Sequence, residues 1–102
     1  MNGVVVGICE VCGAQRFPRQ SWCPACGSDR IRDAMETRGT VEETTIVRHT
    51  PARHGPPVRV GTVRLNGGAL VVARLEPGVG ERAEVELLTV DGAPVARQPA
   101  TR

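Results

Sequence analysis

Four cysteines near the start of the chain are the residues best placed to do chemistry. Cys9 and Cys12 form one C-x2-C pair, Cys23 and Cys26 a second, with ten residues between them. A C-x2-C turn aims two sulfurs at one point. Two such turns supply four thiolates, the tetrahedral set that Zn2+ takes in closed structural sites. Gly13 and Gly27 follow the second cysteine of each pair. Glycine there lets the chain turn sharply, so that backbone N–H groups face the sulfurs. Four thiolates also fill the coordination sphere and leave no position for water, which argues against a catalytic metal. Three other uses of the same residues stay open. Two disulfides need an oxidising setting, and the sequence shows no signal peptide or apolar leader. A C-x-x-C redox site is disfavoured because the motif occurs twice and no βαβ pattern surrounds it. A rubredoxin-type iron centre uses the same ligands.

The segment that positions these cysteines is poor in large apolar groups. Phe17 and Trp22 are the only aromatics in the chain, and both are expected to cover the metal site. So little apolar surface does not fold a ribbon by burial alone. Metal binding, worth about 10–16 kcal/mol in zinc-finger peptides, is expected to supply the rest. Residues 1–8 read as a short strand leading into the first knuckle, and 13–22 as the ribbon's turn around Pro18. Residues 28–36, with Ile31 and Met35 four apart, could form one helical turn or an extended return strand of the ribbon, and read best as an extended connection onward. The composition changes near Thr37, which divides the chain into a ribbon, 1–36, and a second domain, 37–102.

From Thr37 the pattern is strand after strand, rich in Val, Thr and Ile. Thirteen extended residues, 37–49, would span roughly 43 Å, too long for a flat strand in a small domain. Gly39 or a bulge must bend it. Residues 50–57 carry three prolines and a glycine and read as a loop. Strands follow at 58–65, 69–75, 84–90 and about 95–97. Asn66-Gly67-Gly68 favours a primed hairpin turn, and Asp91-Gly92 marks another turn. Five short strands with a long bent first one predict an all-β chain. Its N-terminal four-cysteine zinc ribbon is followed by a five-stranded OB-fold barrel, with an SH3-like barrel or open meander as the other arrangement.

Composition narrows the function. No run of eighteen apolar residues is present, so no membrane-spanning helix is expected. The thirteen Lys+Arg residues are all arginine, and the formal charge is +2. Four thiolates around one Zn2+ lower it to zero, a poor start for binding a polyanion. No aromatic lies between residues 37 and 102, whereas OB-folds hold single strands by stacking bases on aromatic rings. A single-stranded nucleic-acid-binding module is therefore the alternative reading. A stand-alone enzyme lacks its groups: there is no cysteine outside the two pairs and no serine beside a histidine.

The stretches Cys9–Gly13, Cys23–Ser28, Gly39–His49 (G-x-V-x-x-x-T-I-V-x-H), Pro51–Pro57 and Gly80–Leu87 together resemble the "domain of unknown function 35" family of acyl-CoA-associated zinc-ribbon/OB-fold proteins. The resemblance implies structural zinc and a non-catalytic, cytoplasmic accessory subunit in a hetero-oligomer. Its partner would be a thiolase-like acyltransferase or a hydratase, whose acyl-CoA site it helps to form or stabilise. In that setting Arg48, His49, Arg53 and His54 are the candidate contacts to acyl-CoA or the partner, because arginine's planar fork suits phosphate. Arg16 and Arg19 are a second choice.

Overall fold

In the computed structural model, residues 2–47 and 58–99 are described. Eight strands form and, among the described residues, no helix does. Three make a small antiparallel sheet in the order β2-β1-β3: β1 (Val4–Cys9), β2 (Gln15–Arg16) and β3 (Ile31–Glu36). The other five are β4 (Arg38–Val47), β5 (Val58–Leu65), β6 (Leu70–Leu75), β7 (Glu84–Val90) and β8 (Ala93–Arg97). They close into a barrel in the order β4-β5-β6-β8-β7. All barrel neighbours are antiparallel except β6 and β8, which run parallel. This is the five-stranded OB arrangement. Residues 76–83 cross from β6 to β7 without a helix.

Alternation along each strand decides which side chains fill the barrel. Val41, Val63, Leu65, Val71, Ala73, Leu75, Val85 and Leu87 point inward and are buried. β4 bends where its register with β5 shifts between Val41 and Glu43. The extra residue sends Val41 inward and leaves both Glu42 and Glu43 exposed. Gly39 serves the curl in a second way. A Cβ there would lie 2.6 Å from the Arg64 carbonyl oxygen and 2.7 Å from a Val63 methyl, so only glycine lets β4 and β5 approach.

Three local expectations are corrected. Residues 31–36 are not a bare connection: β3 pairs with β1 at every residue from Val4↔Glu36 to Cys9↔Ile31. Extended residues with unmet backbone groups pair where an edge is offered. The Asn66-Gly67-Gly68 turn is not primed. Gly68 N–H bonds to the Leu65 carbonyl at 2.8 Å, and only Gly68 takes a positive φ, +111°. The doubly positive turn is Asp91-Gly92, with φ of 51° and 80°. Phe17, expected over the cysteines, is partly buried against the common core.

That core is shared. Val4 and Val6 of β1 belong to the same buried cluster as the barrel valines and leucines. Glu36 ends β3, Arg38 starts β4, and only Thr37 lies between. Leu87 N–H bonds to the Thr37 carbonyl at 2.8 Å. Gly3 N–H reaches the Leu87 carbonyl at 2.7 Å, and the Thr89 hydroxyl donates to the Gly3 carbonyl at 2.7 Å. Burial alone favours keeping the two sheets together, since separating them would expose Val4 and Val6.

Candidate metal centre

The two knuckles have the same backbone. Gly13 N–H bonds to the Cys9 carbonyl at 2.9 Å, and Gly27 N–H to the Cys23 carbonyl at 2.7 Å. Gly13 and Gly27 both have φ of +82°, where a side chain would be strained. Each knuckle is closed by a bond from its first cysteine's N–H, to Ala14 at 2.9 Å and to Ser28 at 2.7 Å. Glu10 N–H to the Arg30 carbonyl, at 2.8 Å, ties one knuckle to the other.

This framework brings all four sulfurs within 4.8 Å of one another. Cys9 Sγ lies 3.6 Å from Cys26 Sγ, and Cys12 Sγ 3.6 Å from Cys23 Sγ. A tetrahedron with Zn–S bonds of about 2.3 Å needs sulfurs roughly 3.8 Å apart, so the donor set fits Zn2+. The four cysteines are free thiols, not disulfides. Cys9 and Cys23 are buried, while Cys12 and Cys26 face solvent.

The electrostatics point the same way. The Cys12 backbone N–H, 3.5 Å from Cys9 Sγ, outweighs burial and lowers the Cys9 thiol to about 6. The Cys26 backbone N–H likewise lowers Cys23 against the cost of burial. Cys26 is pulled down by Ser28 N–H, but neighbouring sulfurs and burial outweigh that bond and push it up to about 12. Four thiolates packed this closely repel one another unless a cation sits among them.

Trp22 is 56% exposed and lines a crevice with Cys9, Cys23, Arg16, Gln20 and Ile31. It stands beside the centre without sealing it. Arg16 Nε is buried there with no acceptor among the described residues. Arg19 is engaged inside the ribbon, paired with the Asp33 carboxylate and donating to the Ile31 carbonyl at 3.1 Å. Arg48, His49, Arg53 and His54 lie outside the described residues.

One polar residue that sequence reading passes over sits at the seam between the sheets. Gln15 Nε2 donates to Glu36 Oε2 at 2.7 Å, and Gln15 Oε1 accepts Ala69 N–H at 3.1 Å. Gly67 lies flat against this pair, since a Cβ would overlap both the Gln15 amide and the Glu36 carboxylate. A glutamine's partners 21 and 54 residues away leave no local signature.

Comparison with known proteins agrees with this geometry. Residues 2–32 match the family described as ChsH2, rubredoxin-like zinc ribbon domain, and residues 33–97 match ChsH2, C-terminal OB-fold domain. The chain is 36% identical over 93 residues to a DUF35 domain-containing scaffold protein of Pyrococcus furiosus, covering 84% of this chain and 68% of the relative. A solved structure described as Ltp2-ChsH2(DUF35) aldolase superposes with a TM-score of 0.74 at 26% identity, over 94% of this chain and 84% of the other. A DUF35 protein of unknown function from Sulfolobus solfataricus gives a TM-score of 0.69 at 17% identity, over 95% and 76%, and shows the fold alone. The four cysteines are thus a structural zinc centre of the ribbon type, and the chain belongs to the DUF35 family, with the zinc ribbon and OB-fold domains of ChsH2.

Proposed function

We propose that this chain is a non-catalytic accessory subunit that binds a thiolase-like, acyl-CoA-handling enzyme and helps form or stabilise its acyl-CoA site. The likeness to the chain from the Ltp2-ChsH2(DUF35) aldolase, across 94% of this sequence, carries the reading. The relative called a scaffold protein supports it. So does the metal centre, whose four thiolates leave no open position for a substrate or water.

In this reading the partner supplies the reacting groups. Arg48, His49, Arg53 and His54 lie in or beside a proline-rich stretch of the sequence, and proline lowers the entropy a segment loses on docking. Arginine there suits the phosphates of CoA. The proposed subunit works in the cytoplasm, as the resemblance implies.

The test is co-expression with thiolase-like, aldolase or hydratase enzymes encoded nearby, followed by size-exclusion chromatography. A stable complex with one of them, inactive or weakened without this chain, is the expected outcome. No complex with any, together with salt-sensitive binding to single-stranded DNA, overturns the proposal in favour of a nucleic-acid module.

A further inference from the structure

We infer that Gln15 is a latch through which the metal centre controls the β5–β6 hairpin of the barrel. The path is short. Cys12 is a metal ligand, Gly13 and Ala14 close its knuckle, and Gln15 is the next residue. β2 is only two residues long and is held to β1 by two residue pairs, Gly7↔Arg16 and Ile8↔Gln15. So short a strand has little stability of its own. Its position depends on the closed knuckle beside it, where Cys9 N–H meets the Ala14 carbonyl at 2.9 Å.

From that position Gln15 holds both sides of the seam with one amide. Its nitrogen grips Glu36 at the end of β3, and its oxygen accepts Ala69 N–H at the entry to β6. The Ala69 carbonyl in turn receives Leu65 N–H at 2.8 Å, the bond that closes the hairpin. Asn66 N–H bonds to the Arg38 carbonyl at 3.1 Å, so the hairpin tip also touches the start of β4. Gly67 keeps the tip flat enough for the latch to engage. Zinc gathers the four sulfurs and thereby sets β2. Release of zinc frees the knuckle, β2 loses its fixed place, and Ala69 N–H loses its acceptor. The barrel then loosens first at the hairpin that faces the ribbon.

Amide hydrogen exchange on the full chain tests this. Ala69 is read against Glu76, whose N–H bonds to the Ala96 carbonyl at 3.0 Å away from the seam. Chelating the zinc should speed Ala69 exchange about tenfold more than Glu76 exchange, the size expected for loss of one hydrogen bond. In the zinc-loaded protein, Gln15→Ala should reproduce that ratio with the zinc content unchanged. Chelation of Gln15→Ala should then add nothing to the ratio, because the two changes act through one contact. Equal acceleration at both amides on chelation of the wild type overturns the inference, as does wild-type Ala69 exchange in zinc-loaded Gln15→Ala. Should Gln15→Ala fail to hold zinc, partial zinc titration of the wild type decides. An Ala69-to-Glu76 ratio that tracks occupancy supports the latch, and a constant ratio removes it.

Discussion

Cys9 Sγ and Cys26 Sγ sit 3.6 Å apart although 17 residues separate them in the chain. The turns of two matching knuckles, the Cys9↔Ile31 pairing of β1 with β3 and the Glu10–Arg30 backbone bond bring them there, and the close approach of four such sulfurs invites a dication. Zinc should therefore bind one per chain. Cys23→Ser removes a buried ligand and should abolish stoichiometric zinc, measured by elemental analysis, with a large fall in melting temperature. A mutant that keeps its metal and its melting temperature would remove the ribbon assignment.

Acid should strip the metal. The metal-free Cys9 thiol is lowered to about 6 and Cys26 raised to about 12, so zinc must displace protons, above all from Cys26. For Cys9, whose value is depressed, the associated stabilisation is complete above its ordinary value of 9.0 and is lost as pH falls through about 6. For Cys26 the sign reverses: the contribution is present below 9.0 and lost as pH rises towards 12. Zinc binding should tighten as pH rises from 6 to 9. Zinc content after dialysis should stay full at pH 8 and fall once the pH drops below about 6, read with a colorimetric chelator.

Two glycines should respond oppositely to alanine. Gly39→Ala forces a methyl onto the Arg64 carbonyl and a Val63 methyl, and should cost about 1–3 kcal/mol. Gly80 has open space around its Cβ position and lies outside the left-handed region. Gly80→Ala should be neutral or stabilise by up to about 1 kcal/mol, through a less flexible unfolded chain. Urea denaturation of the two variants checks the sign of each.

Leu87 is fully buried in β7. Leu87→Ala should destabilise by about 2–5 kcal/mol, from lost burial and the cavity left behind. Because Val4 and Val6 share that core, ribbon and barrel should still melt in one transition by calorimetry. Two separate transitions would show that the shared core does not couple the sheets.

Arg53→Ala should weaken acyl-CoA binding by the assembled complex several-fold, as expected for loss of one charge-assisted contact. The melting temperature of the free chain should not change. Unchanged acyl-CoA affinity would take Arg53 out of the proposed contact set.

Much of this molecule is written in local patterns. The cysteine spacing announces the ribbon, and the strand-rich composition between turn signals, with Val85 and Leu87 alternating against Glu84 and Glu86, places β5 and β7 to the residue. What local pattern does not carry is contact between distant segments. Asn66-Gly67 carries the primed-turn signal, yet the positive φ falls on Gly68. The hairpin closes with Leu65 N–H on the Ala69 carbonyl, so the loop has three residues instead of the two of a primed turn, and the positive φ moves to its last residue. Phe17 reads as a cover for the sulfurs because it lies between them in sequence, and its packing against the larger apolar cluster depends on distant residues that local pattern does not show. β3 reads as a connection because half its residues are charged, and an edge strand with one exposed face tolerates that. The four candidate contact residues 48, 49, 53 and 54 fall outside the described segments.

Thr37 stands alone between the last residue of one sheet and the first of the next, its carbonyl already taken by Leu87. A joint that short has no slack. Any enzyme that grips the zinc-bearing end also aims the barrel, so orientation is inherited and not searched for. Inserting flexible residues at this point would leave that orientation to the shared Val4 and Val6 core and the Gly3–Leu87 and Thr89–Gly3 bonds.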